Sequence, residues 1–198
     1  MLGESLSASL SELRGRSPFL RPAASRPTIS GNLSDSHFQE TPMPVKPIPD
    51  GYHTATPYLI VSGAAEAIEF YKKAFGATEL FRMAGPDGKI GHAEIKIGNS
   101  PIMLADEFPE MGAKSAKTLG GSPMFLMLYV DNVDTLAAQA VAAGAKAIRP
   151  IQNQFYGDRS GTFEDPFGFW WTISTHVEDV PPEEIKRRSD EAMKDKSC

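Results

Sequence analysis

From Thr54 onward, apolar and polar positions fall into two patterns that repeat in the same order. Residues 56–61 (TPYLIV) read as a strand, a short apolar run rich in branched and aromatic residues. Residues 64–75 (AAEAIEFYKKAF) then place apolar side chains three and four apart, the spacing of one helix face, and stop at Gly76, a good helix terminator. Strands follow at 78–83, 92–97 and 101–106, separated by turn signals at Gly85-Pro86-Asp87-Gly88 and Gly98-Asn99. After a polar, glycine-rich linker at 113–122, the order returns. It runs as a strand at 124–130, a helix at 133–143 closed by Gly144, a strand at 146–150, and two more strands ending at His176. Thr56 and Phe125 are 69 residues apart, as are Met103 and Thr172, so the chain reads as two βαβββ modules, about 54–107 and 122–176.

The flanks differ. Residues 1–50 hold nine serines and seven prolines with few aromatic residues, too little apolar surface to offset the entropy of ordering, so a disordered arm is expected. Residues 181–194 open with two prolines and two glutamates and carry Lys186, Arg187 and Arg188 later, the charge order a helix dipole favours; a surface helix within 177–198 is expected.

Alternation within strands assigns faces. In residues 92–97 (HAEIKI), Ala93, Ile95 and Ile97 make the core face, which turns His92, Glu94 and Lys96 to the other side. His92 and Glu94 then emerge about 7 Å apart. They suit general acid–base chemistry, with Glu107 as a third member, or a solvated strand face. Asp158 and Arg159, beside Tyr156, either contact a polar substrate group or pair with each other. Trp170 and Trp171 point to opposite faces, so one packs under a helix while Trp170 is available to stack on a ligand. Asp165-Pro166-Phe167-Gly168 reads as a turn, His53 as a surface residue and His176 as structural.

A net charge of −5 and an isoelectric point near 5.4 leave no basic stripe for nucleic acid. No apolar run approaches the roughly 20 residues that span a bilayer. The single cysteine, Cys198, permits no intrachain disulfide and fits a reducing cytoplasm. Zinc-protease, phosphate-loop, dinucleotide and nucleophile-elbow motifs are absent from the sequence.

The repeated modules, together with FYKKAFGA (70–77), YVDNVD (129–134) and YGDRSGTFEDPFGFWW (156–171), resemble the vicinal oxygen chelate superfamily of glyoxalase I, bleomycin- and fosfomycin-resistance proteins and extradiol dioxygenases. Within it the chain looks most like the PhnB-like branch. The resemblance implies an α+β fold of two tandem modules forming a curved, cup-like mixed sheet, and a homodimer. Its metal-dependent members hold a divalent cation on the first and fourth strands of each module. Those positions fall here on Thr56, Met103, Phe125 and Thr172, a set unsuited to such an ion. Phe169 stands where the branch often carries histidine. No metal is therefore expected, the alternative being nickel, zinc or manganese relocated to His92 with Glu94 or Glu107.

If Thr56 and Met103 face the cup, so do Tyr58, Phe125, Trp170 and Thr172. That lining suits a small organic molecule. The resemblance leaves two functions open: sequestration of such a ligand, or lyase or isomerase chemistry on His92, Glu94 and Glu107.

Overall fold

In both modules a short strand feeds a helix, and three further strands complete a sheet beneath it. The computed structural model describes residues 45–195, which lie within one compact unit. The first module comprises β1 (Tyr58–Val61), α1 (Ala64–Phe75), β2 (Thr78–Ala84), β3 (Ile90–Ile97) and β4 (Ser100–Asp106). A connection with a short helix, α2 (Ala116–Leu119), leads to β5 (Phe125–Tyr129), α3 (Val133–Ala143), β6 (Lys146–Asn153), β7 (Asp158–Glu164) and β8 (Trp170–His176), and α4 (Pro182–Asp195) follows. The sheets run β1-β4-β3-β2 and β5-β8-β7-β6. In each, the first and fourth strands pair parallel and the other pairs are antiparallel.

The repeat extends to the caps. Asp106 ends β4 and its Oδ1 accepts the Gly63 and Ala64 N–H groups at the start of α1, both at 2.9 Å. Thr175, 69 residues later on β8, accepts the Val133 N–H at the start of α3 at 2.8 Å. A strand in each half thus satisfies helix donors that lack an intrahelical partner. Gly76 and Gly144 close the two helices with positive φ, 65° and 119°.

Both helices belong to one core. Leu59, Val61, Ala93, Ile95 and Leu104 of the first sheet and Leu126, Trp171 and Ile173 of the second join a single buried cluster with α1 and α3. Trp171 packs on Tyr71 and Phe75 of α1, with ring centres 5.3 and 4.7 Å away. The Tyr71 hydroxyl donates to Asp165 Oδ2 at 2.8 Å across the module boundary. In return, Gln139 of α3 donates to the Lys73 and Ala74 carbonyls at the end of α1.

The two-module α+β fold is as the sequence implies, with one difference in arrangement. The sheets are separate, and no strand of one module contacts a strand of the other among the described residues, because contact between the modules runs through the helices and Trp171. Smaller differences have local causes. Regular β1 starts at Tyr58, so Thr56 lies in the lead-in. The linker folds into a 3₁₀ turn at Pro109–Met111 and then α2, stopped by Gly120 in the left-handed region. β6 runs past Pro150 because the ladder is irregular between Arg149 and Gln152, where a missing N–H is tolerated. Of the arm expected at 1–50, residues 1–44 lie outside the described residues, and 45–50 lead exposed into β1.

Candidate functional site

The helix-facing side of each sheet is buried, and the chemistry lies on the opposite side. In the first module, the register sets Tyr58 beside Met103, Met103 beside Glu94, and Glu94 beside Phe81, with His92 beside Met83 in the next row. His92, Glu94 and Lys96 are turned away from the buried Ala93, Ile95 and Ile97, as alternation requires.

His92 is held at both ring nitrogens. Nδ1 lies 2.9 Å from the Tyr58 hydroxyl and Nε2 3.2 Å from Glu94 Oε1. The second carboxylate oxygen accepts a hydrogen bond from the Tyr52 hydroxyl. Four side chains from the lead-in, β1 and β3 thus form one chain: Tyr58, His92, Glu94, Tyr52. The Tyr52 bond, followed by that of His92, holds the Glu94 carboxyl below its ordinary range against the opposing effect of burial. The same bond raises the Tyr52 phenol, and burial raises that of Tyr58. Beside them is a cleft of about 540 Å³ lined by Pro47, Ile48, Tyr52, Thr56, Glu94 and Met103. Tyr52 is the member that sequence reasoning misses. Its one signal is an aromatic residue just after the Pro49-Asp50-Gly51 turn and before the first strand.

The second module presents a more apolar face. Phe125, Met127 and Tyr129 alternate along β5 and are 60%, 49% and 63% exposed, large values for side chains of this type. Trp170 sits on this face, edge-on to Phe125 at 5.2 Å, while Trp171 is fully buried, the division that strand alternation predicts. The Thr172 hydroxyl is 3.2 Å from that of Thr162. A cleft of about 550 Å³ runs by β5, between Met127 and Tyr129 and the turn at Gly98-Asn99.

The remaining candidates are placed elsewhere. Glu107 does not join His92 and Glu94: β4 ends at Asp106, and the Glu107 carboxylate accepts from Thr118 Oγ1 at 2.6 Å and the Ser115 N–H at 3.0 Å, steadying the start of α2. Those bonds hold its carboxyl low. Asp158 and Arg159 do not pair with each other. Successive residues of β7 point to opposite faces, so Arg159 reaches Asp134 with its Nη2 at 2.7 Å, whereas Asp158 is buried. Its carboxylate accepts from Tyr129 and Ser174 and lies 2.8 Å from His176 Nδ1. Burial pushes the Asp158 carboxyl up, but these bonds outweigh it and hold it low. Tyr156 lies in the turn before β7, edge-on to Phe155. Asp165 is a turn residue, as its motif implies, buried and accepting from the Phe167 and Phe169 N–H groups, Tyr71 and Trp171.

The four positions that hold the ion in metal-dependent relatives do not fit one here. They offer two hydroxyls, a thioether and a phenyl ring. Among the described residues no three His, Cys, Asp or Glu side chains are grouped to hold a metal ion, and no helix is long and apolar enough to cross a membrane.

Two helix-covered four-stranded mixed sheets, each with strands ordered first, fourth, third, second and an open outer face, define the class. Residues 52–173 match the model of the Glyoxalase/Bleomycin resistance protein/Dioxygenase superfamily, and the chain belongs to that family. An uncharacterized protein of Mycobacterium bovis is 43% identical over 134 residues, covering 66% of this chain and 88% of that one. The crystal structure of an Arabidopsis thaliana gene product superposes with a TM-score of 0.51 at 25% identity, covering 64% of this chain and 99% of that one. A PhnB protein of Bacillus cereus, titled a putative 3-demethylubiquinone-9 3-methyltransferase, superposes with a TM-score of 0.50 at 17% identity over 62% of this chain and 99% of that one, which speaks to fold alone.

Proposed function

We propose that the chain is a cytoplasmic, PhnB-like member of its family that binds a small aromatic, cationic molecule without a metal, in a cup completed by a second copy. The observation that carries this reading is the exposed row Phe125, Met127 and Tyr129 with Trp170 beside it. Aromatic and thioether groups in a row favour a flat organic ligand. The Glu94 carboxylate supplies a counter-charge from the other module's face. Among the described residues no strand of one module touches a strand of the other, which supports a pairing in which the first-module face of one copy lies against the second-module face of a second copy.

Trp170 is the reporter, because Trp171 is sealed in the core. Titration with a panel of aromatic amines, benzyltrimethylammonium among them, is expected to shift tryptophan emission. Phe125→Ala and Glu94→Gln should each weaken binding at least about tenfold, the loss of one aromatic contact or one charge-assisted bond. No change in emission or heat across the panel would overturn the reading. One tight equivalent of nickel, zinc or manganese in calorimetry, lost in His92→Ala, would overturn its metal-free part. The Tyr58–His92–Glu94 chain favours a second reading, an enzyme that moves a proton at this face.

A further inference from the structure

The chain of hydrogen bonds through His92 has a direction. Glu94 is kept as a carboxylate by Tyr52 and His92, so it accepts, and His92 Nε2 carries the proton that it receives. In the neutral ring, Nδ1 is then the acceptor and the Tyr58 hydroxyl, 2.9 Å away, is the donor. Both nitrogens are engaged, so no lone pair of His92 is left for a substrate. What remains is the phenol oxygen of Tyr58, on a side chain 43% exposed on the open face beside Met103. A hydroxyl on an imidazole whose other nitrogen is oriented by a carboxylate is the arrangement that activates hydroxyl nucleophiles.

We infer that Tyr58 is a base-assisted nucleophile that accepts an acyl group from small, activated aromatic esters. In this step the Tyr58 oxygen bonds to the carbonyl carbon, the bond from that carbon to the leaving phenolate breaks, and the Tyr58 proton passes to His92 Nδ1. The resulting imidazolium is held by Glu94. The phenol is protonated at neutral pH and partial burial raises its pKa further, so the proton goes to His92 Nδ1 as the new bond forms. Tyr52 is a positioning residue: its hydroxyl fixes the Glu94 oxygen that does not face the ring. The aromatic leaving group is chosen by the surroundings, with Phe81 and Met83 on the neighbouring strand and the Phe81 ring 6.2 Å from that of His92. The inference shares with the proposed function the accessibility of this face and the Glu94 carboxylate, which here orients His92.

The test needs no known substrate. The full-length protein is treated with p-nitrophenyl acetate, and each of its five tyrosines is followed by peptide mass spectrometry. Acetylation at Tyr58 is expected to run at least about tenfold faster than at Tyr129, which is more exposed but has a carboxylate on its hydroxyl in place of an imidazole. His92→Gln should slow it about a hundredfold, the ordinary contribution of a general base, with no effect at Tyr156. Glu94→Gln, which leaves the imidazole in place, should slow it less and serves if the His92 variant loses its thermal transition. Equal labelling of Tyr58 and Tyr129, or fast labelling of Tyr58 that survives His92→Gln, overturns the inference. Labelling that follows the expected order while the amine panel fails to bind would leave Tyr58 active and refute sequestration.

Discussion

His176 sits between two carboxylates, with Nδ1 on the buried Asp158 and Nε2 on the exposed Asp179. The bonds to Asp158 and then Asp179 raise its pKa above the ordinary 6.5. Its stabilising contribution is therefore complete below pH 6.5 and is lost as pH rises through the higher folded value. Asp158 has the opposite sense. Its carboxyl is held below 3.8, so its contribution is present above that value and is lost as pH falls through the folded one. Urea midpoints should consequently fall as pH rises above 6.5, and His176→Gln should flatten that slope while leaving the acid limb in place. An unchanged alkaline slope in the variant would remove His176 from the account. How such residues were legible depended on face. Strand alternation places His92 and Glu94 together and divides Trp170 from Trp171. The separation of Asp158 from Arg159 is not legible in the sequence, which leaves the two free to pair; only the start of β7 at Asp158 turns them apart. Their partners, His176 and Asp134, are 18 and 25 residues away, beyond the reach of a local pattern. Tyr52 escapes for the same reason, 42 residues from Glu94.

Among the elements, α1 and α3 begin and end where periodicity and the stop glycines put them. The four residues of α2 are too few to show a period, and its existence rests on capping. Ser115, fully buried, accepts the Thr118 N–H, and Glu107 receives the Ser115 N–H. Ser115→Ala should cost about 1 kcal/mol by denaturant melting and leave amine binding unchanged. A loss of binding at unchanged stability would return Glu107 and its neighbours to the site. A glutamate one residue beyond a strand reads as facing the cup only while the strand continues, and β4 does not.

For the molecule as a whole, the sequence specifies two modules but not how they are joined. That choice is made by Tyr71, Trp171 and Gln139, whose patterns are those of ordinary helix and strand residues. It exposes the row on β5, and on the proposed pairing with a second copy Phe125→Asp should weaken self-association in sedimentation velocity, because a carboxylate brought against an apolar partner face lacks a counter-charge. A variant that sediments like the parent would place the interface elsewhere.

Tyr71 and Gln139 are 68 residues apart, the same interval as Gly76 and Gly144, so they occupy one position in the two copies of the helix. Each reaches into the other half, the first with a phenol to a turn aspartate and the second with an amide to helix-end carbonyls. The matching turn of the first module, Gly98-Asn99, has no carboxylate for a second tyrosine to meet. Each half keeps a different key, and a second copy of the first helix in place of the other would bring a buried phenol to a turn that offers it no carboxylate.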